Sequence, residues 1–444
     1  IEDAWFIALE HPNSSNIVEE GAVTLRQFPG YRYDDGGRTL QTMVIGASPP
    51  KAVRDVMNRY VASIRRPPRA VSMYNTWCDM RTDRLTARNV THTAHAITTR
   101  LEPFGFLFDF FVIDDGWQNK QSIWRANRTR FPEGLGPVCD ALTKFGYTPG
   151  LWLPLSGTML DIGWGEERGY EAACDTYYCL SGSNYHAALR QRLAEIQAST
   201  GVGFFKHDFN YFVCSRIQHG HFAGPMQSSE ANVDALFDLL AAETARNPDI
   251  LLAVTSGLWP SPWWLPHCDI IWMGGKDHDF DRQLPASRGS VAEMNYRDGA
   301  LYEILEGEKM VFPLSAFMTH GVVDARHNVY DMTKEDNEGW GNYLMNYLGR
   351  GTYLREFYIS PERLTPVRWE MLARGIQWAK SLDACMKDAR FVLGDPRKGE
   401  LFGYGGTDGR RRYVSLRNPS LFSTNVTARD LGVVGRLCEI VYPY

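Results

Sequence analysis

No apolar run in the 444 residues reaches the roughly 18 needed to span a bilayer, so no segment is read as crossing a membrane. Positive charge is not in excess. The 47 Lys and Arg face 52 Asp and Glu, a formal net charge of −5, which argues against a dedicated nucleic-acid binder. Cysteine is sparse: eight residues are too few for a disulfide scaffold in a chain this long. Cys174 and Cys179 are near neighbours, but their spacing fits no zinc signature. The cysteines are read first as buried thiols, then as a disulfide, and last as metal ligands. The sequence opens at Ile1, without Met and without a charged-then-apolar signal pattern, which reads as a removed segment or a fragment, and the compartment is left open. No H-E-x-x-H set and no pair of histidines at adjoining strand ends occurs, and His219-Gly-His221 is read as loop. Neither a cofactor nor a metal is expected.

What is present in quantity is aromatic. Thirteen Trp and 21 Tyr suit a large core and a site that stacks on flat apolar faces such as sugar rings. Apolar runs at Ala4–Leu9 and Leu40–Ile45, set between turn clusters, read as β. Residues 50–65 read as a helix stopped by Pro67-Pro68. Beyond 69 the pattern changes to short apolar runs alternating with helical stretches. Eight candidate strands follow: Ala70–Trp77, Phe108–Ile113, Thr148–Leu153, Gly203–Lys206, Ile250–Val254, Cys268–Trp272, Lys309–Leu314 and Thr352–Arg355. That is the arithmetic of a (β/α)8 TIM barrel, an α/β fold. An open doubly wound sheet is the rival, weakened because no G-x-G-x-x-G follows the first strand. Alternation returns at Arg390–Leu393, Gly399–Tyr404, Arg411–Arg417 and Leu437–Val441. The expected organisation is the remnant of an N-terminal β-sandwich over 1–48, the barrel over 49–385, and a C-terminal β-sandwich, complete or not, over 386–444.

Catalytic groups of such barrels gather at the carboxyl ends of the strands. Three of those ends carry acids: Val112-Ile-Asp-Asp-Gly-Trp-Gln118, Phe204-Phe-Lys-His-Asp-Phe-Asn210, and Ile271-Trp-Met-Gly-Gly-Lys-Asp-His-Asp279. An Asp past a strand often only caps the next helix or opens a loop. Two adjacent acids followed by Gly-Trp exceed what one cap requires. Lys206 lies two residues before Asp208, on the same face of a strand, and a cation there favours the ionised carboxylate that a nucleophile needs. After Trp272 three acids alternate, Asp277, Asp279 and Asp281, of which at most one serves as an acid. Paired carboxylates of opposite protonation are the machinery of glycoside hydrolysis. Trp77, Trp117, Trp152 and Trp272 are candidate walls, with core packing an equal alternative for each.

In order along about 70–355, Met73-Tyr-Asn-Thr-Trp77, Val112-Ile-Asp-Asp-Gly-Trp117, Gly150-Leu-Trp152, Lys206-His-Asp-Phe-Asn210 and the acids after Trp272 resemble the melibiase-type α-galactosidases, glycoside hydrolase family 36 and its clan relatives. Phe6-Ile-Ala-Leu-Glu-His-Pro12 and Val414-Ser-Leu-Arg-Asn-Pro419 resemble pieces of that family's flanking sandwiches. The resemblance implies a retaining, exo-acting α-galactosidase without cofactor. By position it implies Asp208 as nucleophile and Asp277 as acid/base, with Asp279 second. Asp114 and Asp115 would hold the 4- and 6-hydroxyls, and Lys206 would touch both sugar and nucleophile. Trp77, Trp152, Asn210 and Asp279 complete the expected sugar contacts. The expected partner is an oligosaccharide or glycoconjugate; self-association is left open.

Three departures qualify this. The family's Cys, Gly-rich run and Arg after the fifth strand are replaced by Thr255-Ser-Gly-Leu-Trp-Pro-Ser-Pro-Trp-Trp264. Leu153-Pro-Leu-Ser-Gly157 replaces acidic residues. The N-terminal sandwich is nearly missing, which predicts a fragment or a divergent member. An α-N-acetylgalactosaminidase, a raffinose-synthase-like transglycosylase and a non-catalytic carbohydrate-binding barrel stay open beside the galactosidase.

Overall fold

The computed structural model describes residues 4–31, 40–277, 279, 284–286, 288–432 and 439–442. Its centre is a nine-stranded, all-parallel sheet. We number the strands β1 Val71–Asn75, β2 Phe110–Ile113, β3 Thr148–Trp152, β4 Phe204–His207, β5 Leu251–Val254, β6 Ile270–Trp272, β7 Phe317–Met318, β8 Val323–Asp324 and β9 Leu354–Ile359. Their order is β7-β6-β5-β4-β3-β2-β1-β9-β8. Every residue of β1, β2, β4, β5 and β9 is buried, as in a parallel sheet covered on both faces.

The seventh strand does not lie at Lys309–Leu314. Pro313 has no N–H to give a ladder, Lys309 adopts φ 55°, and Leu314–Ala316 is a 3-10 turn. The strand forms three residues later and is itself broken. Met318 pairs with Trp272. The chain then bends at His320, φ 51°, and Asp324 pairs with Ile359 on the other edge of the sheet. Gly321 permits the bend, since a Cβ there would lie 1.5 Å from the Glu356 carbonyl oxygen. The two sheet edges are thus one stretch of chain, and the sheet curls into a TIM-like barrel.

Helices cover the outside in the alternation the sequence shows. In Ala87–Leu101, Val90, Ala94, Ile97 and Leu101 are buried at helical spacing, and Thr86 caps the N-terminus by accepting from the Asn89 amide at 3.2 Å. The flanking sandwiches do not appear among the described residues. At the N-terminus Ala4–Leu9 pairs with Met43–Ser48, and Ser15–Glu19 with Ala22–Arg26, as two separate two-stranded sheets. At the C-terminus Arg390–Leu393, Phe402–Thr407 and Arg412–Arg417 make one three-stranded antiparallel sheet. The expected strand 437–441 lies partly outside the described residues, and 439–441 are not in a strand.

Candidate active site

Lys206, in the wall of β4, is the centre of the polar layer at the carboxyl ends of the strands. Its Nζ lies 3.2 Å from Asp114 Oδ2, 3.3 Å from the Tyr358 hydroxyl and 3.6 Å from Glu356 Oε1. Asn75, the last residue of β1, donates through Nδ2 to the same two carboxylate oxygens, at 2.8 and 3.0 Å. Burial alone would push the Lys206 ammonium down. Asp114, Glu356, Asp208 and Asp277 together hold it above its ordinary value. Burial drives Asp114 up in spite of Lys206. Glu356 is equally buried, yet Lys206 and the His320 hydrogen bond keep it below the usual carboxylate range.

Asp208 follows β4 and is only partly covered. Its Oδ1 accepts from the Thr255 hydroxyl at 2.7 Å, the Ser256 amide at 2.9 Å and its neighbour Phe209's amide at 3.0 Å. Its Oδ2 accepts from the Trp152 indole at 3.2 Å. Burial raises this carboxyl, but the Lys206 charge and the donors from Thr255, Ser256 and Trp152 outweigh it, so Asp208 stays below its usual range and is ionised. The loop after β5 reaches Asp208 because Gly257, φ 95°, sits where a Cβ would lie 2.0 Å from the Asn210 carbonyl oxygen.

Asp277 lies on the loop beyond β6. Its Oδ1 is 3.1 Å from His320 Nε2, and its main-chain carbonyl accepts from Arg297. His320 Nδ1 lies 3.5 Å from Glu356 Oε2. The chain Asp277–His320–Glu356–Lys206–Asp114 therefore runs from an exposed carboxylate into the barrel. Burial would lower the His320 imidazole, and its bonds to Asp277 and Glu356 raise it instead.

Compared by sequence, the chain matches no family model and no curated protein. Compared by structure, it superposes on an α-galactosidase of Geobacillus stearothermophilus in complex with raffinose, with a TM-score of 0.62 at 16% identity, over 86% of this chain and 53% of that one. It superposes on an α-galactosidase of Thermus thermophilus in complex with p-nitrophenyl α-D-galactopyranoside at 0.57 and 14%, over 93% and 78%. For an α-galactosidase of Lactobacillus brevis the values are 0.61 and 14%, over 83% and 50%. The fold is that of the family 36 α-galactosidases. This chain spans about half the length of the Geobacillus and Lactobacillus enzymes.

Within this family 36-like barrel the expected site residues separate into groups. Lys206 feels the charges of Asp114, Asp208 and Asp277 together, and Asp114 those of Lys206 and Asp208. Asp115 is beside them, its Oδ1 accepting from Gln118 Nε2 at 2.6 Å. Asp279 lies 3.1 Å from Lys276 Nζ, while His278 and Asp281 lie outside the described residues. Trp152 is buried with its indole spent on Asp208. Trp77 is half-buried against Cys78, Val323 and Tyr358. Trp117 is a core residue whose indole donates to the Trp152 carbonyl. Trp272 is buried edge-on to His320. Asn210 was expected at the sugar, but it is buried and its amide donates to the carbonyls of His207 and Ser256, so it fastens the loop.

Sequence reasoning missed Glu356, His320, Tyr358, Asn75 and the Thr255–Ser256 pair. Glu356 and Tyr358 alternate on one face of β9, and an acid directly after the candidate strand Thr352–Arg355 was the available signal. In the loop Thr255–Trp264 the tryptophans do not touch Asp208. Trp263 and Trp264 are buried in packing, Trp264 stacked on Phe212, and the Trp259 indole donates to the Pro12 carbonyl. The loop's first two residues are the ones that touch Asp208.

Proposed function

We propose that the protein is a retaining, exo-acting glycoside hydrolase that removes terminal α-galactosyl residues through a covalent galactosyl–Asp208 intermediate. The observation that carries this reading is the asymmetric solvation of Asp208. Three donors converge on Oδ1 and one on Oδ2. The carboxylate is thereby kept ionised, with Oδ2 the oxygen richer in free lone pairs and so the attacking atom. Oδ2 bonds to the anomeric carbon as the bond to the leaving oxygen breaks, and Asp277 gives that oxygen its proton. Water then attacks the same carbon, Asp277 takes its proton, and the Asp208 ester bond breaks, restoring both carboxyl groups. Asp114 and Asp115 receive the 4- and 6-hydroxyls, with Lys206 aligning Asp114. This assignment rests on the resemblance to family 36 and on the raffinose and p-nitrophenyl galactoside in the similar structures.

Proton NMR of p-nitrophenyl α-galactoside turnover tests the reading. The α-anomer of galactose appears first if Asp208 is the nucleophile, and Asp208→Asn abolishes turnover while the fold survives. First appearance of the β-anomer, or substantial activity in Asp208→Asn free of deamidation, overturns it. Tenfold or faster hydrolysis of the matching α-N-acetylgalactosaminide would reassign the sugar.

A further inference from the structure

Sixteen residues, 209–224, separate Asp208 from the helix Pro225–Arg246, and their only regular element is the 3-10 turn Ile217–His219. Loops that long with so little regular structure are uncommon in a compact domain and usually have a task. Two of its histidines and one of its cysteines converge on a cysteine from the turn 179–182. Cys179 Sγ lies 3.3 Å from His221 Nε2, and Cys214 Sγ lies 3.3 Å from His219 Nδ1. One donor atom from each of the four residues falls within 4.8 Å of every other. Cys179, Cys214 and His221 are buried and His219 is half-buried.

We propose that Cys179, Cys214, His219 and His221 are the ligands of a structural zinc ion that pins the loop after Asp208 to the turn 179–182. Two sulfurs and two imidazoles are the donor set of closed tetrahedral zinc sites. In such a site the Zn–S and Zn–N bonds are about 2.3 and 2.0–2.1 Å, which sets neighbouring S and N about 3.6 Å apart. The two S···N separations of 3.3 Å lie a few tenths of an ångström below that value, and the widest pair needs to close by about 1 Å. Charge fits burial: two thiolates and two neutral imidazoles cancel the ion's double charge, and the two displaced thiol protons pass to water. The tautomer of His221 fits as well. Its Nδ1 lies 2.8 Å from the Phe222 carbonyl oxygen, so Nδ1 carries the proton and the Nε2 lone pair faces Cys179, as an outer partner sets a ligating imidazole. The Ser181 hydroxyl, 3.3 Å from Cys179 Sγ, is placed to donate to the thiolate. A disulfide between the sulfurs would leave both imidazoles without a task. Neither the position of the four residues nor their chemistry depends on the hydrolase reading.

The test is metal analysis of the whole chain, purified without chelator and dialysed against metal-free buffer. The expected content is about one zinc per chain, unchanged in Cys174→Ser, whose thiol lies outside the quartet. It falls on the order of tenfold or more in Cys214→Ser and in His221→Gln. The wild-type chain also answers without any variant: exchange of zinc for cobalt gives the visible absorption of a tetrahedral thiolate–cobalt centre. A wild-type chain that binds neither ion and whose intact mass shows a Cys179–Cys214 disulfide, or whose thiols all titrate freely, overturns the proposal.

Discussion

The Thr255 hydroxyl donates to Oδ1 of Asp208 across 2.7 Å, so the first residue of the loop after β5 is bonded to the proposed nucleophile. Replacing it by Val keeps the shape and removes one charge-assisted hydrogen bond, worth about 1.5–3 kcal/mol. We expect kcat/KM to fall about tenfold to a hundredfold. Asp208 sits below its ordinary range partly because of this donor, so the acid limb of the pH–rate profile should move to higher pH in Thr255→Val. An unmoved limb would separate Asp208 from that titration.

Lys206 is the cation common to two buried acids, Asp114 and Glu356. Lys206→Met leaves both carboxylates buried without it, a class of change that costs about 3–5 kcal/mol. Urea unfolding should show that loss. Adding Glu356→Gln should recover part of it, since contacting residues do not behave additively. Strict additivity would argue against a shared network.

His320 is raised above its ordinary value by Asp277 and Glu356 against the effect of burial. A raised imidazole contributes stability that is fully present below the unfolded value of about 6.5 and is lost as pH rises through the folded value. The wild-type chain should therefore lose stability relative to His320→Gln as pH rises through that window. Denaturant midpoints for both chains at a series of pH values measure the difference, and parallel curves would refute the coupling.

The acid/base assignment separates by leaving group. A variant lacking the general acid suffers most on substrates whose leaving oxygen needs protonation. Asp277→Ala should slow an alkyl α-galactoside far more than the p-nitrophenyl galactoside, while Asp279→Ala, already paired with Lys276, should slow both alike. The reverse pattern would transfer the role to Asp279.

Period and punctuation made much of the barrel legible. Apolar runs between helical stretches located seven strand regions of the sheet, and acids at two strand ends marked Asp114 and Asp208. The displaced seventh strand was not legible because an apolar run carries no record of which N–H groups find partners, and Pro313 removes one. Glu356 was missed because the eighth candidate strand stopped at Arg355, one residue short of it, whereas β9 runs on to Ile359 and carries the acid within it. The cysteine–histidine quartet escaped for a different reason. Its members are 35 residues apart at the widest step, from Cys179 to Cys214, and short-range spacing rules see only neighbours.

By itself the sequence determined the alternation that forces a parallel barrel, and the presence of K-x-D and D-D-G-W at strand ends, because both depend on periodicity and on residues a few positions apart. Only the tertiary structure decided that Thr255 and Ser256 solvate Asp208, that His320 joins Asp277 to Glu356, and that Cys179 meets His221. Those contacts join residues 36 to 48 positions apart along the chain. They exist because barrel closure brings successive strand ends to one rim, where desolvation makes each buried charge find a partner.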